Sequence, residues 1–300
     1  MAKGRNKSKS FKALAAGNLP AIVIGVVLVL GVIWWALIHF VYDSPTLLFN
    51  AMLSNSLSTT GVVENLREVS GSNIINQTAL VQLGGKNRIE IYKTEVVGSS
   101  SSIVNTLIGT PSEDYTKFDN IKSAQLDDSG QPINYSQILG VWAYKTYSVN
   151  GGQLLKDAVL NPVLIGDLNG SQKQAILSYI KSNEVYDIVS VKKAVSDHRL
   201  RYDYEVDLDL QPYTVVLSKF GVDLGFPDAG INGSQTLVGQ STKLNIVVDA
   251  VSRQLVSISY VNSKISETFS SFGIRANIGL PAHAVTVTSV EALINDAIRK

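Results

Sequence analysis

Leu200-Arg201-Tyr202-Asp203-Tyr204-Glu205-Val206-Asp207-Leu208-Asp209-Leu210 alternates apolar and charged side chains without one error. Successive strand residues point to opposite faces, so the apolar set shares one buried face and Arg201, Asp203, Glu205, Asp207 and Asp209 share a solvated one. That division predicts antiparallel pairing in a sheet covered on one side. Pro212 is expected to end the strand, after which Tyr213, Val216, Leu217, Phe220 and Leu224 recur at helical spacing.

Working outward, Val62 to Val69, Ile74 to Leu83, Asn87 to Val97 and Ile103 to Ile108 read as strands, with Gly84, Gly85 and Lys86 as a turn. Val185 to Ala194 is a further strand, and Leu237 to Ala250, Gln254 to Val261 and Lys264 to Phe272 complete the set. A helix is predicted from Pro45 to about Thr60, capped by Ser44 and stopped by Gly61. Capping boxes of Ser171 with Gln174 and of Thr288 with Glu291 predict two more, the first with Ala175, Ile176, Tyr179 and Ile180 inward. No repeat or linker divides residues 42–300. They read as one α+β domain, a large antiparallel sheet packed on one face by several helices.

Ahead of this domain lies a basic arm, residues 1–18, carrying Lys3, Arg5, Lys7, Lys9 and Lys12, then an apolar run from Leu19 to Val41. At about 1.5 Å per helical residue the run reaches about 34 Å, enough for a hydrocarbon core of about 30 Å. It is too long for a signal-peptide core and ends without a small-x-small site, so an uncleaved transmembrane signal anchor over 19–41 is expected. Arm charges place the N-terminus in the cytoplasm and residues 42–300 outside it, making a single-pass protein of the cell membrane.

Composition excludes several chemistries. The five arm cations leave 21 basic against 25 acidic residues beyond them, a balance near −4 that offers nucleic acid nothing to bind. The chain has no cysteine, so disulfides, thiolate metal sites and cysteine nucleophiles are absent. His198 and His283 stand without partner motifs. Ser178 with Lys181, and Ser190 with Lys193, match SxxK but lack the accompanying KTG and SDN. Gly84-Gly85-Lys86 is followed by Asn87, where a phosphate loop needs Ser or Thr. Asp203, Glu205, Asp207 and Asp209 share one strand face and read as solvated, and no calcium-loop spacing occurs elsewhere. No catalytic activity, metal or cofactor is expected.

The order of elements, together with the ending Phe272-Gly273 and Ile278-Gly279-Leu280-Pro281, resembles the lipoprotein-carrier fold over about residues 44 to 285. That fold is shared by periplasmic lipoprotein-localisation carriers and mycobacterial lipoglycan-binding lipoproteins. Leu107 to Tyr115, Gly140 to Trp142 and Tyr202 to Val206 also look like segments of uncharacterised single-pass proteins of candidate-phylum bacteria such as Saccharibacteria. The carrier resemblance implies a curved half-barrel whose helix-roofed concave side holds acyl chains. Phe49, Met52, Leu53, Val216, Leu217 and Phe220 from helices, with Tyr202, Tyr204 and Val206 from the strand, would line such a cavity. The same nine residues would equally make a packed core, since inward-facing positions do not distinguish a filled interior from a hollow one. The expected function is a membrane-anchored extracytoplasmic binding domain for a lipid or other hydrophobic ligand. Its alternatives are an envelope scaffold that engages another protein and, last, a cell-wall hydrolase.

Overall fold

The computed structural model describes residues 26–33, 44–98, 100–148, 151–226 and 237–299. The chain divides into two units, residues 1–48 and 49–300. Residues 26–33 form a helix, α1. The helix α2 (Pro45–Ser56) precedes a meander of β1 (Gly61–Ser70), β2 (Asn73–Gln82), β3 (Arg88–Val97), β4 (Ser101–Gly109), β5 (Glu113–Ser123) and β6 (Trp142–Thr146). Two helices follow, α3 (Gln153–Val159) and α4 (Gly170–Ser182), then β7 (Tyr186–Ser196), β8 (Arg199–Asp209) and α5 (Leu210–Asp223). The chain continues through β9 (Ser241–Asp249), β10 (Leu255–Tyr260), β11 (Ile265–Ser270), the two-residue β12 (Val285–Thr286) and α6 (Val287–Arg299).

All twelve strands join one sheet in the order β12-β6-β5-β4-β3-β2-β1-β11-β10-β9-β8-β7. The alternating stretch is β8, with Tyr202, Tyr204, Val206 and Leu208 at most 2% exposed. Its register with β9 sets Tyr202, Tyr204 and Val206 opposite Val248, Ile246 and Leu244, all fully buried. Pro212 does not end the strand. Asp209 does, because its carboxylate caps α5 by accepting the amide of Gln211 at 3.0 Å, and Pro212 sits inside the first turn, where no amide is needed.

The observed sheet corrects the expected fold. It is mixed rather than an all-antiparallel half-barrel, because β12 lies parallel to β6. It is also covered in part on its second face. Helices take the face bearing Tyr202 and Tyr204. On the other, Leu80, Ile108 and Tyr115 pack against Ile278 of the segment after β11. Arg88 donates to the Ile278 carbonyl and Gly273 N–H donates to Gly61 O at 2.8 Å, so this tail is pinned across the sheet before α6 closes over Ile138 and Ala143. The caps differ as well. The box on α4 is Asn169 with Gln172, two residues before the expected pair, and α6 starts at Val287, preceded by Thr286, whose hydroxyl accepts the Ser289 amide at 3.3 Å.

The N-terminal expectation is corrected too. No helix among the described residues is long and apolar enough to cross a membrane. The described part of the run Leu19 to Val41 is α1. The remainder of that run and the basic arm lie outside the described residues. Among the described residues no span carries the expected signal anchor or the single-pass localisation.

Candidate functional site

Two neighbouring strands near the middle of the sheet each place a glutamate where the pattern calls for an apolar side chain. On β1 the inward positions read Val62, Glu64, Leu66, and on β11 they read Ile265, Glu267, Phe269. The register sets Glu64 opposite Phe269 and Leu66 opposite Glu267, so the carboxylates are diagonal neighbours on the helix-covered face. Such positions are about 7–8 Å apart at the backbone, within reach of two glutamate side chains. Glu64 is 6% exposed and Glu267 7%. Glu267 Oε2 is shielded from solvent and has no hydrogen-bond partner among the described residues.

Both acids line a cavity of about 270 Å³ between the sheet and α3. Its apolar wall is Leu66, Ile89 and Ile91 from the strands and Leu154 and Ala158 from the helix. Gln77 and Asn161 add amides, and Asp157 stands exposed at the rim. Among the described residues no lysine, arginine or histidine lines it. Burying a carboxylate without a counter-charge favours its neutral form. Burial accordingly pushes the Glu64 carboxyl up to about 8, with the charge of Glu267 adding to the rise, and burial pushes Glu267 up to about 7. Near neutral pH the pair therefore retains on the order of one proton.

The roof is seated by its neighbours more than by its own sequence. Gly152 at the start of α3 offers no side-chain cap, and Asp114 of β5 takes that role. Its Oδ2 accepts the amides of Gln153 at 3.0 Å and Leu154 at 3.4 Å and the Tyr147 hydroxyl at 2.9 Å. Close approach depends on two glycines. A Cβ at Gly109 would lie 2.7 Å from Leu154 Cβ, and one at Gly152 would lie 1.9 Å from the Thr110 carbonyl oxygen. Past α3, the chain is held by α5: the Tyr213 hydroxyl donates to Asn161 O at 2.5 Å. With two inward acids and, among the described residues, no histidine, serine or lysine on its wall, this site can hold a cation or a proton.

No family model matches the chain. No curated protein matches it either.

The nine residues expected to line an acyl cavity lie elsewhere. Phe49, Met52, Leu53, Tyr202, Tyr204, Val206, Val216, Leu217 and Phe220 are all buried, the most accessible at 7%. The structure brings them together as packing: the ring of Phe49 lies 5.2 Å from that of Tyr204, and Tyr202 and Tyr204 stack at 6.3 Å. None of them lines the cavity under α3. Broader hollows of about 670 and 450 Å³ open at the hairpin tips Glu68–Gly71 and Val261–Ile265 and beside Asn65, Asn76 and Thr78, lined mainly by polar residues.

Other sequence candidates resolve into structural roles. His198 shares with Asp197 the tight turn between β7 and β8, both with positive φ, at 61° and 52°. His283 is exposed, as are Ser178 and Lys181 on α4. Ser190 donates to Glu205 at 3.2 Å. Asp207 pairs with Lys243 at 3.7 Å, and among the described residues no three His, Cys, Asp or Glu are grouped to hold a metal. Glu64 and Glu267 were legible only as charged residues breaking the inward parity of Val62-x-Glu64-x-Leu66 and Ile265-x-Glu267-x-Phe269.

Proposed function

We propose that residues 49–300 form a binding domain of lipoprotein-carrier type that seats a small, partly hydrophobic ligand beneath α3 and performs no chemistry on it. The observation that supports this reading is the 270 Å³ cavity, walled by Leu66, Ile89, Ile91, Leu154 and Ala158. A cavity of about 150 Å³ takes up benzene, and ligand pockets run from about 300 Å³ upward. The space under α3 thus suits a compact ligand and is too small for the acyl chains of a lipoprotein. Saturation-transfer NMR on the full chain with 1-hexanol tests it. Transfer is expected from the parent and lost in Leu66→Trp, which fills the wall; no transfer from the parent refutes the reading.

A second reading, an interaction scaffold with a solid interior, is favoured by the close ring packing of Phe49, Tyr202 and Tyr204. It predicts that Leu66→Trp leaves every property of the chain except local stability unchanged.

A further inference from the structure

We propose that the cavity beneath α3 is a seat for a protonated amine, whose ammonium head lies between Glu64 and Glu267 and whose short chain lies along Leu66, Ile91 and Leu154. The inference deepens the binding reading above and rests on it.

Three observations converge on this ligand. Glu64 and Glu267 occupy inward positions flanked on both sides by apolar residues, where ionised acids are costly without a partner. Among the described residues the cavity wall contains no basic side chain to supply that partner. Glu267 Oε2, on a side chain only 7% exposed, is left without a hydrogen bond among the described residues. An ionised carboxylate is acceptor-only, and an alkylammonium brings three donors and a compensating charge. An anion would meet only acids here. A neutral alcohol would satisfy one acceptor and leave the charge. A metal ion is disfavoured because no three ligating side chains are grouped among the described residues. Asp157 at the rim adds a third acid along the path of entry.

Binding couples to protons. An alkylammonium, like a lysine side chain with its pKa of about 10.4, arrives charged, and each glutamate that ionises to receive it gives its proton to solvent. The titratable groups facing the pair are Asp157 from α3, Tyr213 from α5 and Tyr260 from β10, while β2 and β3 present Gln77, Ile89 and Ile91. Burial raises both tyrosines, so they stay neutral across the working range. Affinity for the amine is therefore expected to rise between about pH 6 and pH 8.

The test is calorimetric titration of the full chain with hexylammonium chloride, 1-hexanol, sodium hexanoate and calcium chloride, repeated with Glu64→Gln and Glu267→Gln. Hexylammonium is expected to bind more tightly than 1-hexanol, hexanoate not to bind, and either substitution to weaken the amine at least about tenfold. Equal binding of amine and alcohol overturns the inference and leaves the binding reading standing. Absence of binding by both overturns the two together. Calcium binding without amine binding overturns it in favour of a metal site. The pH series on the parent chain stands apart from the folding of either variant, and an amine affinity that is flat between about pH 6 and pH 8 also overturns the proposal.

Discussion

Replacing Glu64 with glutamine removes one titrating proton from the interior and keeps the side chain's shape. The carboxyl goes from 4.5, its ordinary value, to about 8 in the folded chain. An acid raised in this way holds its proton more tightly when folded than when unfolded. Its stabilising contribution is fully present below about pH 4.5 and is lost as pH climbs through 8. Each pKa unit is worth about 1.4 kcal/mol, so the rise sets a ceiling of about 5 kcal/mol on that loss. Buried polar groups without partners cost about 1–3 kcal/mol in mutational series, because surroundings relax and water enters. We therefore expect Glu64→Gln to match the parent near pH 4.5 and to exceed it by about 1–3 kcal/mol near pH 8.5. Urea unfolding of the full chain, followed by circular dichroism across this range without added ligand, measures the gap. A gap between parent and variant that does not change with pH would refute the burial argument.

The remaining predictions address the roof, the core and the caps. Asp114→Ala strips two α3 amides of their acceptor and should cost about 1–3 kcal/mol in chemical unfolding, while weakening 1-hexanol binding under α3. Phe220→Ala, at a fully buried position, should cost about 3–5 kcal/mol and leave 1-hexanol affinity unchanged, since that ring belongs to the core and not to the cavity; a parallel loss of binding would contradict this division. Asn169→Ala removes the capping box of α4 and should lower stability by about 1 kcal/mol, read as a shift in the urea midpoint at constant slope.

The legible part of the fold was local. The alternation of Leu200 to Leu210 identified β8 and its buried face because period-2 patterning is a property of the strand alone. β5 was not legible: Glu113–Ser123 mixes acids, lysines and apolar residues, and past Tyr115 its residues are only half-buried or exposed. The parallel β12 could not be read from two residues, because its pairing depends on the tail pinned across the sheet. The nine apolar residues were read as facing inward, and they do; whether an inward face is filled depends on how rings such as Phe49 and Tyr204 meet across sequence-distant elements. The glutamate pair was hidden for the same reason. Each residue alone reads as a surface charge, and only the pairing of β1 with β11 makes them one site.

That pairing also orders the assembly of the chain in time. β1 through β6 each pair with the strand before or after them, as do β7 through β11, so two sheets grow by local steps and meet only where β1 joins β11. Until β11 emerges from the ribosome, β1 is an unpaired edge with Val62 and Leu66 uncovered, the kind of surface on which nascent chains pair with one another. Glu64 stands between those two residues, and a charge at such a place on an exposed edge disfavours self-association. Glu64→Val should therefore raise light scattering during refolding even as the finished protein gains stability at alkaline pH. A clear refolding trace for that variant would assign the glutamate to the folded molecule alone.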